Sequence, residues 1–300
     1  MSSPSMHTSP AQRHPGLAPA SLLLAASVWG LVWYPFRLLE SAGLAGSVAS
    51  LLTYGLGMLP LLYLARGRLW PGRAEAGWLL AVALSAGWTN LSYVLAVIHG
   101  EVMRVMLLFY LAPLWTIPFA RLILGERAGR AGLAVIGLAL AGALTMLHTG
   151  NGWPLPANTA EWLGLSSGMA FALSNVLIRK TRAIPMETRS LWIFAGVAGI
   201  ALLFPDTHAT AADAVGALDA GTWLLVAGVI VALLIATFTV QYGLIHVPAN
   251  RAVVILLFEL VVAALSSLAL AGEVMDFREW IGGAMIVAAT LFSLRLIRHE

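Results

Sequence analysis

Glu259 is the residue with the clearest chemistry in this chain. It lies near the middle of an apolar stretch, residues 250–271. A carboxylate at that depth in hydrocarbon costs several kcal/mol unless it is neutralised, paired or turned towards water. Two roles meet that cost: a group that couples to protons or holds a solute amine, and a protonated, hydrogen-bonded structural glutamate. Polar and aromatic side chains gather in four other apolar stretches. Asn90 and Tyr93 are three apart, on one helical face, with Thr89 and Ser92 beside them. Tyr110 and Trp115 form a second group, Ser174 and Asn175 a third, and Thr237, Thr239, Gln241 and Tyr242 a fourth. Trp29 and Trp33 are four apart. These types can bind a small polar or aromatic solute, and they also bond between membrane helices or anchor at interfaces. The binding candidates are Trp33, Asn90, Tyr93, Tyr110, Trp115, Asn175, Gln241 and Tyr242, with Glu259 as the coupling candidate.

The elements that must position these groups are membrane helices. Of 300 residues, 60% are hydrophobic and only 10% charged. A soluble domain carries about 25% charged residues, so most of this surface must face lipid. Breaks at charges, prolines and glycines divide the chain into ten apolar stretches: 17–39, 42–66, 74–97, 102–122, 128–148, 159–180, 188–204, 222–244, 250–271 and 278–297. The polar, proline-punctuated leader, residues 1–16, is expected to be disordered and cytoplasmic. The first apolar stretch ends in Trp33-Tyr34-Pro35-Phe36-Arg37, not in a small-residue cleavage site.

Charge sets the expected orientation, because cytoplasmic loops are rich in lysine and arginine. With the N-terminus inside, the inner side holds Arg13, Arg66, Arg68, Arg73, Arg121, Arg127, Arg130, Arg179, Lys180, Arg182, Arg189, Arg251, Arg295 and Arg298. The outer side holds only Arg37, Arg104 and Arg278. A miscounted span would scramble that alternation. The bias therefore supports ten spans with both termini in the cytoplasm, in the cell membrane.

The chain also repeats itself. Shifted by 147, Ile98-His99 falls on Ile245-His246, Arg104 on Arg251, and Gly125-Glu126 on Gly272-Glu273, without a gap. Asn90 then meets Thr237, so the same depth is polar in both halves. The first stretch aligns with the sixth at an offset of 142, where Trp29 meets Phe171 and Arg37 meets Arg179. Five helices per half make the second half enter the membrane inverted. The fold expected is therefore all-α and integral to the membrane, with ten transmembrane helices in two inverted five-helix repeats, at 17–148 and 159–297. Inverted repeats suit secondary transporters, since two such halves can exchange conformations around a central site.

The repeated helix ends Leu-Ile-Leu-Gly-Glu (122–126) and Leu-Ala-Gly-Glu (270–273), together with Pro113 in Phe109-Tyr110-Leu111-Ala112-Pro113, resemble the drug/metabolite transporter superfamily, in particular its EamA-type ten-helix members. The resemblance covers nearly the whole chain after the leader. It implies export or import of small metabolites, amino acids among them, through a cavity between the halves. In the second half Leu260 stands where Pro113 stands in the first, so the sequence gives no reason for a symmetric kink.

Other residues have simpler readings. His99, His246, Arg104 and Arg251 are expected to cap or anchor helix ends, and Glu126 and Glu273 to bond backbone or headgroups. Gly164 and Gly168 permit a close helix approach. There is no GxxxxGK[ST] loop and no HExxH cluster, so no cofactor or metal is expected and the driving force would be an ion or solute gradient. The partners implied are a small-molecule solute, membrane lipid and protons, not nucleic acid: the one lysine, Lys180, belongs to no basic soluble segment. Two other readings are an integral-membrane enzyme on a lipid-linked substrate, which would need paired acids or a His/Asp cluster at one membrane face, and a non-transporting sensor, which would need a sizeable soluble domain. Neither feature stands out in the sequence.

Overall fold

The computed structural model describes residues 16–69, 72–100, 102–147, 156–203, 215–270 and 275–298. The leader up to residue 15, Glu273, the Arg104 side chain and most of the 205–221 connection lie outside the described residues. The first half comprises α1 (Leu17–Ser41), α2 (Gly46–Leu64), α3 (Arg73–His99), α4 (Val102–Phe109), α5 (Ala112–Phe119) with a π-helical turn (Ala120–Leu124), and α6 (Arg130–Leu147). The second comprises α7 (Thr159–Lys180), α8 (Met186–Ala201), α9 (Ala220–His246), α10 (Ala249–Leu256), α11 (Phe258–Leu270) and α12 (Phe277–Arg298). Every described element is helical.

Eight segments are long and apolar enough to cross a membrane. The sixth and seventh expected spans, α7 and α8, are not among them. Helix α8 has 16 residues, about 24 Å of helix against a hydrocarbon core of about 30 Å. Helix α7 is long enough but carries Glu161, Ser166, Ser167, Ser174, Asn175, Arg179 and Lys180. It packs against α3, α4, α5 and α9. Protein neighbours cover much of its polar surface.

Packing follows the repeat. The third segment of each half lies against the first segment of the other: α3 on α7, and α9 on α1. The two halves also meet where α6 packs on α12. That crossing depends on glycine, since a Cβ on Gly142 would sit 2.8 Å from the Gly282 carbonyl oxygen. Gly164 and Gly168 likewise face Val105 and Phe109. Their spacing serves a close approach of α7 to α4 within the chain.

The fourth and ninth expected spans are each broken, and at equivalent places. The first break falls at Tyr110–Leu111, before Pro113, and the second at Leu257, which is Tyr110 shifted by 147. The symmetric interruption that Leu260 gave no reason to expect is therefore present. Proline is not its cause in the second half. There the Leu260 N–H bonds the Leu257 carbonyl three residues back, and in the first half the Leu114 N–H bonds Leu111 in the same way. Tight turns of this kind interrupt an α-helix and aim a new N-terminus into the bundle.

Candidate functional site

Between the halves lies a cavity of about 740 Å³, within the range of pockets that hold small molecules. Its lining starts at Arg37, Gly46 and Glu279, at the end of the bundle where α1 finishes and α2 and α12 begin. It runs inward to Ile178, Val240 and Leu256. Trp33, Asn90, Tyr93, Tyr110, Asn175 and Glu259 all line it. Five different spans of the sequence thus contribute to one space.

The second break positions Glu259. Starting a new helix at Phe258 puts Glu259 in the first turn of α11, where the free N–H groups of a helix favour a negative charge. Its carboxyl lies within hydrogen-bonding reach of the Tyr110 hydroxyl, on the equivalent break of the other half. Gly30 makes room beside it: a Cβ there would sit 2.7 Å from the Glu259 carbonyl oxygen. One wall is aromatic. Phe109 stacks edge-on against Tyr93 and Tyr110, with ring centroids 5.4 and 5.2 Å apart, and lies 5.4 Å from Phe171. Asn175 is among the lining residues, and its Nδ2 is buried without a hydrogen-bond partner among the described residues. Trp33 donates its indole N–H to Ser266 Oγ at 2.9 Å, which fixes the ring. The arrangement therefore offers one carboxyl, phenol hydroxyls and flat apolar faces around a metabolite-sized volume.

Three candidates lie elsewhere. Gln241 does not line the cavity. It is fully buried, accepts from Arg189 Nε at 2.9 Å and donates to Ser190 Oγ at 2.6 Å. Arg189, read from the sequence only as a topology charge, is also fully buried and donates to the Thr181 carbonyl at 2.7 Å. A guanidinium without solvent needs such acceptors, and Gln241 is one of them. Tyr242 stacks against His246 at 4.4 Å near the end of α9. Trp115 sits on α5 outside the cavity lining, its indole nitrogen buried without a partner. The histidines behave as expected of helix ends: His99 Nδ1 lies 2.9 Å from the Leu95 carbonyl, and His246 Nδ1 lies 2.7 Å from that of Tyr242.

At the opposite end of the bundle an ion pair joins the two halves. Arg179, at the end of α7, pairs through Nε with Glu126. Its Nη1 donates to the carbonyls of Leu244, Ile245 and Val247 at 2.9–3.0 Å. Glu126 in turn accepts the N–H of Ala249, the first residue of α10, at 2.9 Å. Local geometry aims Glu126. The π-helical turn ends at Gly125 with φ +73°, and the Glu126 N–H reaches back to the Ala120 carbonyl. That left-handed conformation suits glycine and disfavours residues with a Cβ. The Gly-Glu pair of the repeated motif is thus a turn followed by a tether, bonding backbone as expected and also a cation.

Several lining residues carry little signal in the sequence. In the sequence Arg37 reads as a loop charge, although the 142 offset pairs it with Arg179. Phe171 was noted as the mate of Trp29, and both rings line the cavity. Phe109, Ser50 and Ser267 carry no periodic signal that separates them from ordinary core.

Helices of this apolarity around a central, largely apolar cavity define an integral membrane protein. The EamA-like transporter family model matches residues 17–148 and again 158–295, and the chain belongs to that family. A curated relative from Archaeoglobus fulgidus, described as an uncharacterized transporter, is 29% identical over 278 residues, covering 92% of this chain and 96% of the relative. A solved crystal structure of a protein shares the fold with a TM-score of 0.72 at 19% identity, covering 94% of this chain and 98% of that one. The protein is accordingly a multi-pass membrane transporter of a small-molecule solute.

Proposed function

We propose that this transporter moves a small amino-acid-like or aromatic metabolite out of the cell by alternating access. In this reading both termini are cytoplasmic, ten spans cross the cell membrane, and the cavity opens outward at the Arg37 end. The observation that carries it is the grouping of Glu259, Tyr110, Tyr93 and Asn175 around one cavity at the two helix breaks. A solute amine would meet the Glu259 carboxyl. The ring would lie against Phe109 and Phe171. Glu259 would also exchange a proton for the solute amine, since both compete for one carboxyl. That competition makes transport depend on the proton gradient.

Flux into proteoliposomes, screened against a panel of amino acids and aromatic amines with and without a pH gradient, tests the proposal. At least one panel member should move, and faster with the gradient. Glu259→Gln should abolish the gradient dependence. Gradient-stimulated flux that persists in Glu259→Gln would remove Glu259 as the coupling group. Folded protein that moves no panel member would count against the solute class.

A further inference from the structure

We propose that the Glu126–Arg179 pair is the gate that closes the Arg179 end of the cavity, and that it must part before a solute can leave on that side. The inference rests on the alternating-access reading. It assigns the closing contact to two residues outside the cavity.

The position supports a gate. Ile178, the residue before Arg179, is among the innermost lining residues, so the pair lies directly beneath the cavity floor. The pair is also a joint between halves. Glu126 closes the fourth expected span, in the first repeat, whereas Arg179, the three carbonyls and the Ala249 N–H all belong to the second. A small apolar plug of Ala120, Val176 and Ala249, with Phe119, Ile123 and Leu124 against it, fills the space beside the pair. Any movement of the first repeat away from the second at this end must break the ion pair and the Ala249 bond together.

The repeat supplies an independent argument. Arg37 is the mate of Arg179 at the 142 offset. It is exposed and lines the open mouth of the cavity. Among the described residues, equivalent arginines therefore differ at the two ends, Arg179 engaged and Arg37 exposed. A purely structural clasp would give no reason for that contrast. A site open at one end at a time requires it.

The chain has no cysteine, so a single cavity reporter, Ser174→Cys, can be labelled with a membrane-impermeant thiol reagent from either side. Right-side-out and inside-out vesicles give the two rates. With the native pair, the reporter should react from the Arg37 side only. Glu126→Gln or Arg179→Gln should raise the rate from the opposite side about tenfold and lower it from the Arg37 side, because loss of a charge-assisted contact shifts a two-state balance by at least that much. Arg179→Lys, a point charge without the fork that reaches three carbonyls, should fall between. Unchanged rates on both sides would overturn the gate. So would a rise on both sides, which would mark the pair as a clasp holding the bundle together. Labelling needs no solute, so a switch without flux for any solute would sink the transport reading and leave the gate. Flux with no switch would sink the gate alone.

Discussion

The two ends of the cavity are built from the same parts and do different things. At one end Arg179 is engaged by a carboxylate and three carbonyl oxygens. At the other, Arg37, its counterpart in the repeat, stands exposed at an opening. The difference does not come from residue type. Among the described residues it comes from the groups that surround each arginine. In a duplicated membrane protein, sequence symmetry therefore marks where both gates can form, and the structure records which one is shut. The apolar packing is less informative on this point. The α6–α12 crossing and the α3–α7 and α9–α1 contacts follow the repeat and mark neither end.

The comparison can be broken most forcefully at Arg179. Among the described residues, Arg179→Ala leaves Glu126 with only the Ala249 N–H and leaves three carbonyls without this donor. It should destabilise the closed end by about 2–4 kcal/mol, read as a lowered midpoint of thermal unfolding in detergent. A smaller step tests the turn that aims Glu126. Gly125→Ala forces a Cβ into the left-handed region and should cost about 1 kcal/mol. Part of the Arg179→Ala effect should therefore appear without touching either charge. The smallest effect is expected at the open end: Arg37→Ala should change stability by less than about 0.5 kcal/mol, as exposed sites usually do. A large loss there in the same unfolding assay would mean that the two ends are not in opposite states.

Much of this arrangement was legible in the sequence, for identifiable reasons. Glu259 could be singled out because a carboxylate within an apolar stretch has few explanations. Asn90, Tyr93 and Asn175 stood out because polarity is rare at that depth. Gln241 looked equivalent to them, but it serves a buried arginine. Nothing in a lone sequence tells a helix face turned to a cavity from one turned to a neighbouring guanidinium. The break at Leu257 was hidden for a related reason: the first half advertises its break with Pro113, whereas the second makes the same turn with apolar residues. The Glu126–Arg179 contact was present in fragments, as a repeated Gly-Glu motif and a paired arginine. Fifty-three positions separate the two residues, and only the fold brings them together.

The central claim is that one cavity serves two ends that open in turn. Distances between spin-label pairs test it most directly, one pair at Ser41→Cys and Arg278→Cys across the open end, the other at Arg127→Cys and Arg182→Cys across the closed end. Introducing Arg179→Ala should lengthen the 127–182 distance and shorten the 41–278 distance. Lengthening of both, or change in neither, would contradict it.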